Sequence, residues 1–339
     1  MTAPAATAAP LELAPADLAI YQRAQEGPFF FADPSAGALS LSGETRLDFL
    51  QRQSTNDLRF LPPTRALVTV LTSPTAKILD VLLLVDRGDS ILMLPLPGRQ
   101  SSTLQFLRSR IFFMDRVTVD EVSADWAWIG VGGQGWQQSL QSLGFTLADA
   151  PGAAARLAAQ GQTATAVRVA ERFPGQALIL ARGDAPAAVQ QLLAEAGAVE
   201  LTPAVHEVLR VEMGIPGPAA ELTEDYSPLE AGLLDAVAEG KGCYTGQEVI
   251  ARQLTYDKVV QRLLRLRLDG PVQAGDGLFV EGRRVGLVTS VVRSPREGLI
   301  ALGYVRRPDF EAGSVLSLSP GEGGVQVTVL GLSGAAVKP

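Results

Sequence analysis

From Arg262 onward the chain reads as strands. Leu264, Leu266 and Leu268 alternate with Arg265 and Arg267, the period of a strand with one buried face. Short apolar runs follow at 278–281, 285–292, 299–305, 315–318 and 325–330, separated by Gly and Pro turns. Strands at this spacing predict a small antiparallel barrel or sandwich, with a domain boundary at 258–262. Upstream, three apolar runs at 66–71, 78–85 and 91–96 are separated only by the Ser73-Pro74 and Arg87-Gly88-Asp89 turns. Connections that short cannot carry a crossover, so these strands must be antiparallel neighbours. Helical patterns intervene without regular strand–helix alternation, which defines an α+β chain. Ser42 is placed to cap a helix carrying Leu47, Phe49 and Leu50, and a helical stretch covers 103–110. A strand is expected at 126–131. Asp184 caps a helix with Pro186 in its first turn, a stripe of Val189, Leu192, Leu193 and Ala196, and a stop at Gly197.

At 339 residues, the chain has room for about two or three domains. It carries 36 Asp and Glu against 29 Lys and Arg, a net charge of −7. Such a chain has no general positive field for collecting nucleic-acid phosphates. With one cysteine, Cys243, and one histidine, His206, it can form no internal disulfide, and this chain alone holds no structural zinc or iron–sulfur cluster. A Ser–His–Asp triad would have to use His206. Residues 1–16 are rich in Ala and Pro without Lys or Arg, so they read as a disordered tail and not as a targeting segment. Apolar runs such as 81–85 are far too short to span a bilayer, and the expected location is the cytoplasm.

Four features could carry chemistry. The first is the segment Lys241-Gly242-Cys243-Tyr244-Thr245-Gly246-Gln247-Glu248. A helix is expected before it, capped by Ser227, opened by Pro228, lined by Leu229, Leu233, Leu234 and Val237, and stopped by Gly240. Thr245 and Glu248 have capping-box spacing, so a second helix should begin at Thr245. That sets Cys243 just before a helix N-terminus, where the dipole and the Lys241 ammonium would favour a thiolate. The plain alternative is an apolar cysteine beside a turn. The second feature is Glu212, which shares a helical stripe with Val205, Val208 and Leu209. A buried carboxylate needs a partner: a ring with adjacent N–H donors such as a pterin or guanine, an arginine, or solvent at the helix end. The third is Asp80, in a strand apolar on both faces, which marks a site or a bulge. The fourth is Gly130-Val131-Gly132-Gly133-Gln134-Gly135. It has dinucleotide-loop spacing, but lacks an acidic residue near 150–155 and surrounding βαβ units, so a tight strand-to-helix turn is expected. Arg252, Lys258, Arg262, Arg265 and Arg267 form a basic stretch able to hold a polyanionic tail, touch RNA, or face solvent. Tyr226, Tyr244 and Tyr256 flank the cysteine loop, where they could stack on an aromatic ligand or lie at loop–core edges.

The 241–248 segment resembles the signature of the YgfZ-type folate-binding proteins, paralogues of the glycine-cleavage aminomethyltransferase. The resemblance extends through 43–57, 210–216, 221–223, 228–233 and 286–305. It implies an α+β, three-lobed cloverleaf: two interleaved ferredoxin-like domains (17–60 with 125–165 and 200–258; 61–124 with 166–199) and a small antiparallel β-barrel at 259–339. It implies tetrahydrofolate, or a one-carbon derivative, in a central opening, and support of iron–sulfur cluster assembly or repair in client enzymes, including tRNA-modifying ones. Glu212 matches the glutamate that clamps the pterin in the aminomethyltransferase family, and Asp80 matches an aspartate at the folate's reactive nitrogen. Lys241 and Cys243 match the functional loop, with Tyr244, Gln247, Arg252 and Tyr226 expected around the cofactor. The implied partners are folate and iron–sulfur clients, without a membrane and with at most a weak local tRNA contact. Two features depart from the transferases: Val81 stands where they carry a second aspartate, and Phe173-Pro174-Gly175-Gln176 lacks the acid of their Tyr-Thr-Gly-Glu segment. The alternative implied by the resemblance is a folate-dependent aminomethyltransferase with Asp80 as its key residue.

Overall fold

The computed structural model describes residues 10–62, 65–159, 162–169, 175–308, 311–321 and 323–333. The chain opens with the strand Leu11–Glu12 (β1), the helix Pro15–Glu26 (α1) and the strand Pro28–Ala32 (β2). Leu39–Ser42 (β3), Arg46–Gln53 (α2), Ala66–Thr72 (β4), Ile78–Asp86 (β5), Ser90–Leu94 (β6), Gln100–Arg108 (α3) and Thr118–Glu121 (β7) build one lobe. Trp126–Gly133 (β8), Trp136–Ser142 (α4), Ala154–Ala159 (β9), Gln162–Arg168 (β10), Ala177–Arg182 (β11), Ala185–Glu195 (α5) and Val199–Glu200 (β12) build a second. Pro203–Glu212 (α6) and Gln247–Thr255 (α7) bracket a stretch of turns. Gln261–Leu268 (β13), Gly277–Val280 (β14), Arg283–Ser294 (β15), Gly298–Arg306 (β16), Val315–Ser317 (β17) and Gln326–Leu332 (β18) complete the chain.

The alternation after Arg262 closes into a barrel. Its strands run β15-β14-β17-β18-β13-β16, and β16 pairs back onto β15. Leu264, Leu266 and Leu268 fill the interior with Leu278, Val288 and Val327. Closure is tight at Gly286, where a Cβ would stand 2.1 Å from the Tyr304 carbonyl oxygen. The three upstream apolar runs form the antiparallel hairpins β4–β5 and β5–β6 in a five-stranded sheet ordered β4-β5-β6-β3-β7. The second lobe is a six-stranded sheet ordered β12-β2-β8-β11-β10-β9. The architecture is the mixed three-lobed one expected. Strand pairing nevertheless cuts across the division anticipated from sequence. β3, expected with the first domain, bonds to β6 and β7. β11, expected with the second, bonds to β8. Pairing partners lie far apart in the chain, so local pattern does not select between the two sheets.

Several local expectations change. Residues 1–9 lie outside the described part, but 10–16 are ordered: Leu11 and Glu12 pair in parallel with Val292 and Arg293, and Leu13 is buried. The first helix of the β3 lobe is preceded by Thr45, not Ser42, which ends β3. Leu192 faces solvent, because α5 buries Val189 and Leu193 on a narrower stripe. The helix expected after Ser227 does not propagate. Its capping box forms, with Ser227 N donating to the Glu230 carboxylate and Glu230 N to Ser227 Oγ. The Glu230 carbonyl then accepts from Leu263 N of the barrel, and Gly232 turns the chain at φ 77°. Only the 3₁₀ turn Leu234–Ala236 remains. Likewise α7 starts at Gln247 behind a left-handed Gly246, because the Thr245 carbonyl accepts from Thr72 Oγ1 at 2.6 Å.

Helix α6 locks the barrel to the rest. Thr202 Oγ1 caps it by accepting from Val205 N, and Pro203 sets its first turn. Arg210, buried, donates to Glu207, to the Ile215 carbonyl at 2.6 Å, to Ser290 Oγ of β15 at 2.8 Å and to Glu221 at 3.3 Å. Glu221 is fully buried and also accepts from Gly217 N and Ser290 Oγ. Removing one member of such a set strands the other charge in the interior. Glu221→Ala is therefore expected to lower unfolding free energy by about 3–5 kcal/mol, read as a shift in the urea midpoint.

Candidate functional site

Glu212 sits on the stripe expected of it, at the end of α6, with its side chain 2% exposed. Its Oε1 accepts from Tyr21 Oη of α1 at 2.7 Å and from Ser294 Oγ of β15. Burial and the neighbouring carboxylate push the Tyr21 hydroxyl pKa up, so it stays a donor. Among the described residues none donates a hydrogen bond to Oε2; the Arg296 guanidinium stands 3.7 Å from it. The buried carboxylate thus meets a tyrosine, a serine and a cation 3.7 Å away, so it is not waiting unpaired. Arg296 is 59% exposed, a weak electrostatic partner by position.

Glu212 and Arg296 line a cavity of about 470 Å³. The Gly133-Gln134-Gly135 turn and Trp136 form another wall, with Phe29 and Gln176. The glycine-rich segment is the tight strand-to-helix turn expected, and it lines the cavity as well. Gly133 has φ 84°, and a Cβ there would stand 2.2 Å from the Gly27 carbonyl oxygen. Gln176 Oε1 accepts from Gly133 N at 3.0 Å, so the residue lacking the transferases' acid braces this turn. Phe173 and Pro174 lie outside the described residues.

The cysteine loop lies elsewhere. None of Lys241, Cys243, Tyr244, Gln247, Arg252, Asp80 or Tyr226 lines the Glu212 cavity. Cys243 is an exposed free thiol. Lys241 is buried, and its Nζ donates to the carbonyls of Gln51 at 2.8 Å, Ser54 at 2.6 Å and Asn56 at 2.6 Å. An ammonium has three hydrogens, and all three go to carbonyls around the end of α2, not to the sulfur. Burial lowers its pKa to about 8. Lys241 positions the loop; the expectation that it activates the thiol directly is corrected. Its Nζ also lies 5.1 Å from the Tyr244 ring centroid, and burial pushes the Tyr244 phenol to about 12. Gln247 opens α7, and Arg252 pairs with Glu248 one turn back at 2.6 Å, on an exposed face. Tyr226 is buried, its ring stacked on Tyr304 at 3.4 Å between centroids, which leaves it no face for a ligand.

Asp80 lies where the β4–β5 register shifts, the bulge reading of its sequence. It is 1% exposed and accepts from Val81 N at 2.8 Å, Leu96 N at 3.1 Å and Thr103 Oγ1. Burial pushes its pKa up to about 6. It ties β5 to the chain entering α3. His206 packs on Phe31 at 4.3 Å, burial lowers its pKa to about 4, and its Nε2 has no hydrogen-bond partner among the described residues. It forms no triad. Of the basic stretch, Lys258 joins Arg283, Arg284, Arg306 and Arg307 around a separate groove of about 480 Å³, while Arg265 pairs with Glu297 at 2.8 Å. No group of three His, Cys, Asp or Glu side chains placed to hold a metal occurs among the described residues.

Sequence reasoning did not find Tyr21, Ser294, Trp136 or Arg296. Ser294 and Arg296 sit in a barrel hairpin whose pattern gives no sign that it folds over α6.

The described fold matches the glycine cleavage system aminomethyltransferase T of Bartonella henselae, with a TM-score of 0.80 at 20% identity over 93% of this chain and 88% of that one. The GCVT N-terminal domain family matches residues 32–241. A chloroplastic transferase-like protein of Arabidopsis thaliana is 30% identical over 294 residues, 85% of this chain and 68% of the relative. The aminomethyltransferase of Bacillus subtilis is 27% identical, over 83% of this chain and 80% of its own. The tRNA-modifying protein YgfZ of Colwellia psychrerythraea is 25% identical, over 71% of this chain and 72% of its own. The chain is a mixed-fold protein of the aminomethyltransferase-like class. It belongs to the GCVT N-terminal domain family.

The Asp80 geometry carries a pH signature. A carboxyl whose folded pKa of about 6 exceeds its unfolded value of 3.8 binds more protons in the folded state between those limits. Stability therefore falls as pH rises through that window and is flat above it. The wild type should gain about 2–3 kcal/mol relative to Asp80→Asn between pH 7 and pH 4, measured by urea unfolding at each pH.

Proposed function

We propose that the protein is a tetrahydrofolate-binding accessory factor that supports iron–sulfur cluster assembly or repair in client enzymes, with Cys243 as its reactive group. The observation that carries the folate half is Glu212: a buried carboxylate on a ligand-sized cavity, with one oxygen held by Tyr21 and Ser294 and the other accepting from no described residue. The N–H edge of a pterin supplies charge-assisted donors to that oxygen, while Phe29 and Trp136 offer apolar wall. The exposed thiol carries the other half. Binding and reaction then occupy separate surfaces, and a cluster in transit is held jointly with the client. The likeness to a YgfZ protein supports this reading. No helix among the described residues is long and apolar enough to cross a membrane, and the cytoplasm is the proposed location.

The second reading is a folate-dependent aminomethyltransferase, favoured by relatives that carry that name. Against it stands Asp80, whose oxygens already accept from Val81, Leu96 and Thr103, with none of them on the Glu212 cavity. Formation of methylene-tetrahydrofolate from a loaded lipoyl carrier protein would establish it.

Calorimetric titration tests the folate site: Glu212→Ala should weaken tetrahydrofolate binding by about 2–4 kcal/mol, and equal affinity removes the site. The thiol is tested in cells under oxidative stress. Cys243→Ala should depress the activity of iron–sulfur enzymes as far as deletion of the protein does; full activity removes Cys243 from the proposal.

A further inference from the structure

The wall of the Glu212 cavity has a polarity pattern that goes further than a single clamp. Glu212 lines the cavity and its Oε1 is filled by Tyr21 and Ser294, so Oε2 is the oxygen left to accept from a ligand. Beside it stands the Arg296 guanidinium, 3.7 Å away, too far to be hydrogen-bonded to Oε2 and so not used up by it. It is held by neighbouring groups. Arg296 Nη1 donates to Gln25 Oε1 at 3.2 Å, Nη2 to Glu297 Oε1 at 3.3 Å, and its backbone N to Ser294 Oγ at 3.1 Å. A guanidinium carries five N–H hydrogens, so donors remain for a ligand. The cavity therefore presents an acceptor next to a donor. Its complement is a ring edge with an N–H next to a carbonyl, a cyclic lactam.

We propose that Arg296 is a specificity-determining residue that reads the lactam oxygen of the ligand while Glu212 Oε2 takes the adjacent ring N–H. This rests on the folate reading, and names the ring edge by which the site selects its pterin. A 4-oxo pterin has N3–H beside C4=O and matches the wall. A 4-amino pterin has an acceptor at N3 beside an amino donor, so each polar group meets its own kind. Sites that pair hydrogen bonds discriminate strongly against such inversions, because both partners are left unmet.

The test compares tetrahydrofolate with its 4-amino-4-deoxy analogue by calorimetry, on the wild type, Arg296→Met and Arg296→Lys. Arg296 is more than half exposed, so neither substitution threatens the fold. The wild type should prefer the 4-oxo ligand by roughly 10- to 100-fold. Arg296→Met, which keeps length but has no donor, should lose most of that preference, chiefly through weaker 4-oxo binding. Arg296→Lys should retain a measurable part of it. An unchanged preference in Arg296→Met overturns the inference and leaves the folate site standing. Tighter 4-oxo binding in Arg296→Met also overturns it, by making the arginine a counter-ion that the ligand must displace. Absence of saturable binding of either ligand to the wild type removes the folate reading and this inference together.

Discussion

Two opposite charges buried within one helical turn govern this molecule. Arg210 and Glu212 are both buried side chains of α6, and neither can be tolerated there alone. Apart from Glu207 on the same helix, their partners come from outside it: Ser290 and Ser294 from one barrel strand, Glu221 from the turns that follow, and Tyr21 from the first helix. Satisfying these charges fixes how the barrel seats against the rest. The same requirement builds the cavity, because the hairpin that supplies Ser294 also carries Arg296.

The parts of the fold legible in sequence were those whose signals are local. Leu264, Leu266 and Leu268 alternate with arginines because a closed barrel has one dry face. The short turns after Leu71 and Val85 left antiparallel pairing as the sole option. What local pattern could not supply was partner choice. β3 could have joined either sheet, and it lies between β6 and β7 because those strands meet its edges in space. The segment after Ser227 shows the limit more sharply. Its cap forms as written, yet the Glu230 carbonyl is claimed by Leu263, a residue more than thirty positions on, and the helix stops.

The candidate site divides the same way. Glu212 was visible because a charge on an aliphatic stripe has a cost that something must offset. Asp80 was visible for the same reason, and its two readings were separated only by the register shift and the three donors around it. Lys241 was placed in the right loop but with the wrong partner: carbonyls at a helix end attract an ammonium as effectively as a thiolate does, and they carry no side-chain signature. Arg296, in a surface turn, gave no signal, since nothing in Ser294-Pro295-Arg296-Glu297 tells which body that turn will cover.

The pairing of β1 with β15 joins the first described strand to the barrel lobe. Leu11 finds Val292 only after both intervening lobes have left the ribosome. Until then the leading strand has nowhere to dock, and the cradle between α1 and α6 lacks the hairpin that completes it. Synthesis therefore delivers a half-built receptacle first, and a hairpin made after both lobes serves as its clasp.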